Sequence, residues 1–310
     1  MTRPARSSRR AFTSILCPVD FSNHSRSALQ LALATARRFD VKITALFVND
    51  PLLVAAAATA FTPASLERTS LAELRTFVDQ TSKTFGEKAA TIACEVTQGE
   101  PAAEITKAVK RRKADLIVLG THGLSGGRKL VFGSTTARVL REARIPVLAV
   151  PAGAAVSADD EWPSRQVLAA VDVGRNLASD VRAAAQVGLA FDARLLIVHV
   201  MRPLQAPGWL MARAIADDDA RLAGSRSALE KVAQTLDPSL KVECRVVVGK
   251  PEEAIPEIAA ATRSGLIIVT LRAERGWFGT PQGEITYETL VHAVTPILAL
   301  PSRGVTKRGR

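Results

Sequence analysis

"ADLIVLGTHGLSGGRKLVFGSTTARVL", residues 114–140, sets a run of aliphatic residues against a glycine-rich loop and then a helix. "DLIVLG" is continuously apolar rather than alternating, the pattern of a strand covered on both faces. Five glycines fall within the fourteen residues from Gly120 to Gly133, and "GSTTARVL" then resumes helical periodicity. A buried strand, a loop and a helix in this order predict one limb of a parallel α/β sheet.

The rest of the chain repeats that limb. "ILCPVD" (15–20) matches "VLAAVD" (167–172), and "ITALFV" (43–48) matches "LLIVHV" (195–200), both at an offset of 152. "GEPAAEI" (99–105) matches "GKPEEAI" (249–255), "ADLIVLG" (114–120) matches "SGLIIVT" (264–270), and "IPVLAVP" (145–151) matches "TPILALP" (295–301), all at an offset of 150. A constant offset with one two-residue slip marks two copies of one unit. "AGAAVSADDEWPS" (152–164) reads as the linker between them. The expected division is a basic tail at 1–11, a first domain at 12–151, the linker, a second domain at 165–301 and a basic tail at 302–310.

Within the first copy, strands are expected at 15–19, 42–48, 92–97, 115–120 and 146–150. Helices are expected at about 24–39, 65–88, 101–112 and 134–143. Five strands alternating with helices predict a doubly wound parallel sheet with helices on both faces, one per copy. Such sheets bind ligands at the carboxyl ends of their strands, near the switch point of the strand order.

Bulk composition narrows the function. The 310 residues are 47% hydrophobic and only 5% aromatic, enough apolar material for two cores built from Ala, Val, Leu and Ile. The net charge of +11 raises the question of nucleic acid. Yet Arg3, Arg6, Arg9, Arg10, Arg303, Lys307, Arg308 and Arg310 all lie in the tails, and no nucleic-acid-binding motif accompanies them. Cys17, Cys94 and Cys244 are odd in number and widely spaced, so neither a disulfide framework nor a zinc site is indicated. No apolar run reaches the roughly 20 residues needed to span a bilayer. A soluble, cytoplasmic protein without membrane contact is expected.

Two strand ends carry candidate chemistry. Asp20 follows the first strand and reads equally as a helix cap or as a carboxylate that meets a base or ribose; Asp172 in the second copy is open to the same two readings. At the fourth strand the spacing is G-x2-G-x9-G-S, formed by Gly120, Gly123, Gly133 and Ser134. Glycines let successive N–H groups approach one anion, and the helix start adds aligned donors. Ser134 and Thr135 bring hydroxyls, so the stretch reads as a phosphate cradle in preference to a surface loop with a serine cap. Arg128 and Lys129 are candidates for added positive charge, although solvated side chains are the commoner outcome. His122 reads as a rim residue, since no second ligand-type side chain lies at ligand spacing in sequence. Neither a Walker A loop nor a Rossmann fingerprint is present.

These motifs resemble the universal stress protein family in tandem form, over about 12–151 and 165–301. The family signature G-x2-G-x9-G-[ST] is matched in full in the first copy. The resemblance implies an adenine nucleotide alpha hydrolase-like fold and an ATP site. The base and ribose would meet Pro18, Val19, Asp20 and Val48, with Leu119 and Gly120 beside the ribose and phosphates. Gly123, Gly133, Ser134 and Thr135 would cradle the phosphates, with Mg2+ as a candidate companion. It also implies pairing of the two halves as a pseudo-dimer through their last strands, with a homodimer as a further prospect. In the second copy Thr270 replaces Gly120, Ala273 replaces Gly123 and Glu284 replaces Ser134, while Gly283 is kept. That site is expected to be degenerate.

The favoured reading is a nucleotide-binding stress regulator or sensor rather than a turnover enzyme, since no catalytic pair or metal cluster is visible. Slow ATP hydrolysis and a nucleotide-free interaction module are the alternatives. An adenylating enzyme of the ATP pyrophosphatase type is disfavoured, because its SGGxDS loop is replaced by "DFSNHS" after the first strand.

Overall fold

"SILCPV" forms the first strand because the side chains that must be dry are apolar: Ile15, Leu16 and Cys17 are fully buried. The computed structural model describes residues 11–86, 92–122, 133–151, 153–154, 162–204, 207–271 and 293–301, without the side chains of Gly208 and residues 211–216. It divides into two units, Met1–Trp162 and Pro163–Arg310.

The first unit runs β1 (Ser14–Val19), α1 (Asn23–Phe39), β2 (Lys42–Asn49), α2 (Pro51–Ala57), α3 (Pro63–Thr84), β3 (Ile92–Gln98), α4 (Pro101–Arg112), β4 (Leu116–Gly120), α5 (Ser134–Glu142) and β5 (Val147–Val150). Its strand order is β3-β2-β1-β4-β5, and the pairs described are parallel. The chain moves outward from β1 through β2 to β3, then returns to the other side of β1 for β4. That reversal leaves a crevice at the carboxyl ends of β1 and β4. Helices α1 and α3 pack on each other, as do α4 and α5, giving one helix layer per face.

The helix ends follow local chemistry. In α1 the Ser22 hydroxyl accepts the Ser25 N–H, and Asp40 turns left-handed (φ 53°) to end it behind Arg37 and Arg38. In α4 the Glu100 carboxylate accepts from the backbone N–H groups of Ala102 and Ala103, with Pro101 at the first helical position. Helix α2 is not among the expected elements. It begins on Pro51 with the Asp50 carboxylate accepting the Leu53 N–H, and none of its residues is buried. Without a buried face, "PLLVAAA" carries no helical periodicity to read.

The second unit repeats the plan with β6 (Gln166–Ala170), α6 (Leu177–Ala190), β7 (Arg194–Met201), α7 (Met211–Ala233), β8 (Val242–Val248), α8 (Pro251–Ala261), β9 (Leu266–Leu271) and β10 (Ile297–Pro301). Its strand order is β8-β7-β6-β9-β10, again with parallel pairs.

The cysteines separate by depth. Burial in β1 pushes the Cys17 thiol up to about 12. Cys94 and Cys244 are half-buried on β3 and β8, the outermost strands, and burial raises both thiols more modestly. The thiolate is the reactive form, so labelling slows when the pKa rises. A thiol reagent is expected to label two cysteines per native chain, faster at pH 9 than at pH 7. The third is expected to react only after denaturation. Labelling of Cys17 in the native protein, detected by peptide mass, would contradict its placement.

Candidate functional site

The crevice of the first unit is built from three strand ends and two helix starts. Pro18 and Asp20 are half-buried at the end of β1, and Val48 is half-buried at the end of β2. Val19 and Leu119 are buried, at 5% and 3% exposure, so these two offer backbone rather than side chain to the crevice.

Asp20 is not the helix cap. The cap is Ser22, and Asp20 Oδ1 accepts both the Ser22 N–H (3.0 Å) and the Ser22 Oγ–H (2.6 Å). Both bonds fall on one oxygen, and among the described residues Oδ2 has no such donor. Phe21 between them adopts φ 63°, a conformation that costs a side-chain-bearing residue roughly 1–2 kcal/mol. Its ring meets Phe47 at 4.6 Å and Phe77 at 5.7 Å, contacts that offset part of that cost. The Arg26 guanidinium lies 4.4 Å from the Phe77 ring centre and donates to Thr81 Oγ1 at 2.9 Å. This aromatic cluster fixes the turn that holds Asp20 at the sheet edge, and sequence reasoning missed it.

Gly120 has a packing role that the sequence did not show. A Cβ there would lie 3.0 Å from the backbone carbon of His24, so the missing side chain admits the first turn of α1. Beyond Gly120, Thr121 N–H donates to the Val150 carbonyl at 2.9 Å, and Gly133 N–H donates to the Thr121 carbonyl at 2.9 Å. The ends of the glycine loop are thereby pinned together. Helix α5 then starts behind Gly133, which has no side chain to cap it. Ser134 is exposed and Thr135 half-buried in that first turn, while Thr136 Oγ1 turns inward to the Gly120 carbonyl at 2.8 Å. An uncapped helix start offers unsatisfied N–H donors and a positive dipole end. Gly123, Arg128 and Lys129 lie outside the described residues.

His122 does have a second histidine beside it. The His24 and His122 rings lie 5.4 Å apart, tilted by 40°. Burial, helped by the charge of His24, lowers the pKa of His122 below its ordinary value. The sequence hid this pair because the two residues are far apart along the chain; β1 and β4 being neighbours brings them together.

In the second unit Asp172 is exposed beyond the end of β6, and Thr270 is half-buried in β9. His199 is buried at the end of β7; its Nδ1 bonds the Val171 carbonyl at 3.1 Å and lies 4.0 Å from Asp172 Oδ1. Ala273, Gly283 and Glu284 lie outside the described residues.

Comparison with known proteins fits this two-fold architecture. The family model described as "Universal stress protein family" matches twice, over residues 11–151 and 163–301. The chain belongs to the universal stress protein family. A universal stress protein of Methanocaldococcus jannaschii is 32% identical over 148 residues, covering 47% of this chain and 85% of that protein. One from Thermus aquaticus is 32% identical over 145 residues, covering 45% of this chain and 98% of that protein. Both relatives therefore correspond to about half of this tandem universal stress protein. Among solved structures, a universal stress protein from Archaeoglobus fulgidus aligns over 93% of this chain and 96% of its own, with TM-score 0.63 and 21% identity, a likeness of fold.

No helix of this universal stress protein among its described residues is long and apolar enough to cross a membrane. Among the same residues, no group of three His, Cys, Asp or Glu side chains is placed to hold a metal ion.

Proposed function

We propose that the first unit binds ATP and that the chain acts as a nucleotide-responsive regulator in the stress response rather than as a turnover enzyme. The observation that carries this reading is the start of α5. It has no side-chain cap, it is pinned to the end of β4 through Gly133 and Thr121, and it faces the switch point of a doubly wound sheet. A phosphate group supplies what that helix start lacks.

On this reading Gly133, Ser134 and Thr135 meet the phosphates, with Gly123, Arg128 and Lys129 as candidates in the adjoining loop. Leu119 and Gly120 border the ribose and phosphates through their backbone. Asp20 meets the ribose through the carboxylate oxygen that Ser22 leaves unused, and Pro18, Val19 and Val48 line the base. Mg2+ enters as the counter-ion of the phosphates, held mainly by phosphate oxygens and water in keeping with its usual coordination. In the second unit Glu284 stands at the sequence position matching Ser134, Ala273 and Thr270 replace glycines, and nucleotide is excluded.

Titration of the full chain with ATP by calorimetry tests this. One nucleotide per chain is expected, with Asp20→Ala weakening binding about tenfold or more through loss of a charged hydrogen-bond acceptor. Two nucleotides per chain, or no binding, would overturn the reading.

A further inference from the structure

Thr97, near the end of β3, carries a buried hydroxyl oxygen with no hydrogen-bond partner among the described residues. The residue as a whole is only half-buried, so this oxygen is shut off close to the surface rather than deep in the core. A hydroxyl that has lost its bonds to water without replacement is unfavourable, and a native fold keeps few such groups. The second unit does without it. Val247 stands at the matching position, half-buried on β8, and pairs with Val200 as Thr97 pairs with Val48. A methyl group in place of the hydroxyl therefore suits this strand position, and the fold alone gives no reason for the oxygen.

Strand register places the hydroxyl. Glu95, two residues before Thr97, faces α4, where Arg111 and Arg112 bind its carboxylate. Side chains alternate along a strand, so Thr97 shares that face. Asn49 accepts from Ser70 of α3, so Val48 lies on the opposite, α4 face of β2. Pro18 pairs with Leu46, which shares the face of Val48. Pro18, Val48 and Thr97 are thus half-buried in one row at the carboxyl ends of β1, β2 and β3. The charged groups flanking this row have partners of their own. Glu95 is held by the two arginines, and Glu104 by Lys107. Glu100 accepts from the N–H groups of Ala102 and Ala103 and pairs with Arg138.

We propose that Thr97 is a specificity residue of the first unit's nucleotide site, its hydroxyl oxygen accepting an N–H of the base's exocyclic 6-amino group. The inference rests on the ATP reading above and deepens it into recognition of the base. Adjacent strands lie about 4.8 Å apart, so the row spans roughly 10 Å from β1 to β3. With the phosphates at the start of α5 behind β4 and the ribose at Asp20 beyond β1, the base lies over Val48 of β2. Its far edge, which carries the 6-amino group of adenine, then reaches β3. The half-buried position leaves Thr97 room to turn its hydroxyl between staggered rotamers toward that edge. Val247 removes the acceptor from the unit that is expected to exclude nucleotide.

The test pairs one substitution with one missing group on the ligand. The full chain and its Thr97→Val variant are titrated by calorimetry with ATP and with purine riboside 5′-triphosphate, which differs from ATP only in lacking the 6-amino group. Thr97→Val is expected to weaken ATP about fivefold, the loss of one neutral hydrogen bond, and to leave the purine riboside triphosphate within about twofold. Thr97→Ser keeps the oxygen and is expected to keep the preference for ATP. Thermal denaturation without nucleotide is expected to find Thr97→Val at or above the unaltered chain, since the substitution removes an unpaired hydroxyl. A clearly lower melting temperature would mean that the hydroxyl is used by the fold, and would overturn the proposal. Equal weakening of both nucleotides by Thr97→Val, or unchanged ATP binding, would overturn the role of Thr97 while leaving the ATP site intact. Failure of the unaltered chain to bind either nucleotide would remove the ATP reading and this inference together.

Discussion

Replacing Gly265 with aspartate is expected to destabilise the second unit by about 3 kcal/mol, even though the first unit carries Asp115 at the matching position. The two units start their first strands in different ways. In the first, the Asp115 carboxylate accepts from Thr13 N–H (2.8 Å), Thr13 Oγ–H (2.7 Å) and Ser14 N–H (3.0 Å), tying the chain into β1 from a distance. In the second, Ser164 packs directly over Gly265, and a Cβ there would lie 2.4 Å from the Ser164 backbone nitrogen. Ser164 has little room to move, because its hydroxyl donates to the Arg263 carbonyl at 2.8 Å. The backbone bond from Gly265 N–H to the Gln166 carbonyl (3.0 Å) would be strained with it. Gly224, within α7, has nothing within 4 Å of an added Cβ. Gly224→Ala is therefore expected to stabilise the same unit by about 0.5–1 kcal/mol through helix propensity. Urea denaturation of both variants checks the opposite signs; a neutral Gly265→Asp would refute the close approach of Ser164.

This contrast also shows what kind of information the sequence carries. Parallel strands covered on both faces must be continuous aliphatic runs, so "ILCPVD" and "VLAAVD" or "DLIVLG" and "GLIIVT" announce themselves and give the repeat. Strand ends then follow from the topology, which placed Asp20 and the start of α5 at one edge. Roles set by close approach were not legible. Gly120 resembles a ligand-facing glycine in sequence, yet its missing Cβ makes room for His24. Of the two readings open for Asp20, the helix cap falls instead to Ser22, for which "SNHS", with Ser22 three residues before Ser25, carried the signal. The His24–His122 pair depends on β1 lying beside β4, a consequence of strand order that no local spacing reveals.

Ser134→Glu imports into the first unit the residue that the second carries at the matching sequence position, Glu284, and two opposite effects are expected from it. Ser134 is exposed at the first helical position of α5, behind the uncapped Gly133. A carboxylate in this first turn interacts favourably with the helix dipole, so folding stability is expected to hold or to rise by about 0.3–1 kcal/mol. The same carboxylate stands where the proposed phosphates belong. Repulsion between like charges a few ångströms apart near a protein surface amounts to several kcal/mol, and the new charge also satisfies the donors that a phosphate would use. ATP affinity is therefore expected to fall about 100-fold. Thermal denaturation and ATP calorimetry on the same preparation separate the effects: ordinary loss of structure would lower both. Unchanged ATP affinity would exclude phosphate from the start of α5. Reduced affinity with preserved stability would instead mean that one substitution had turned the first unit's helix start into a self-capped one.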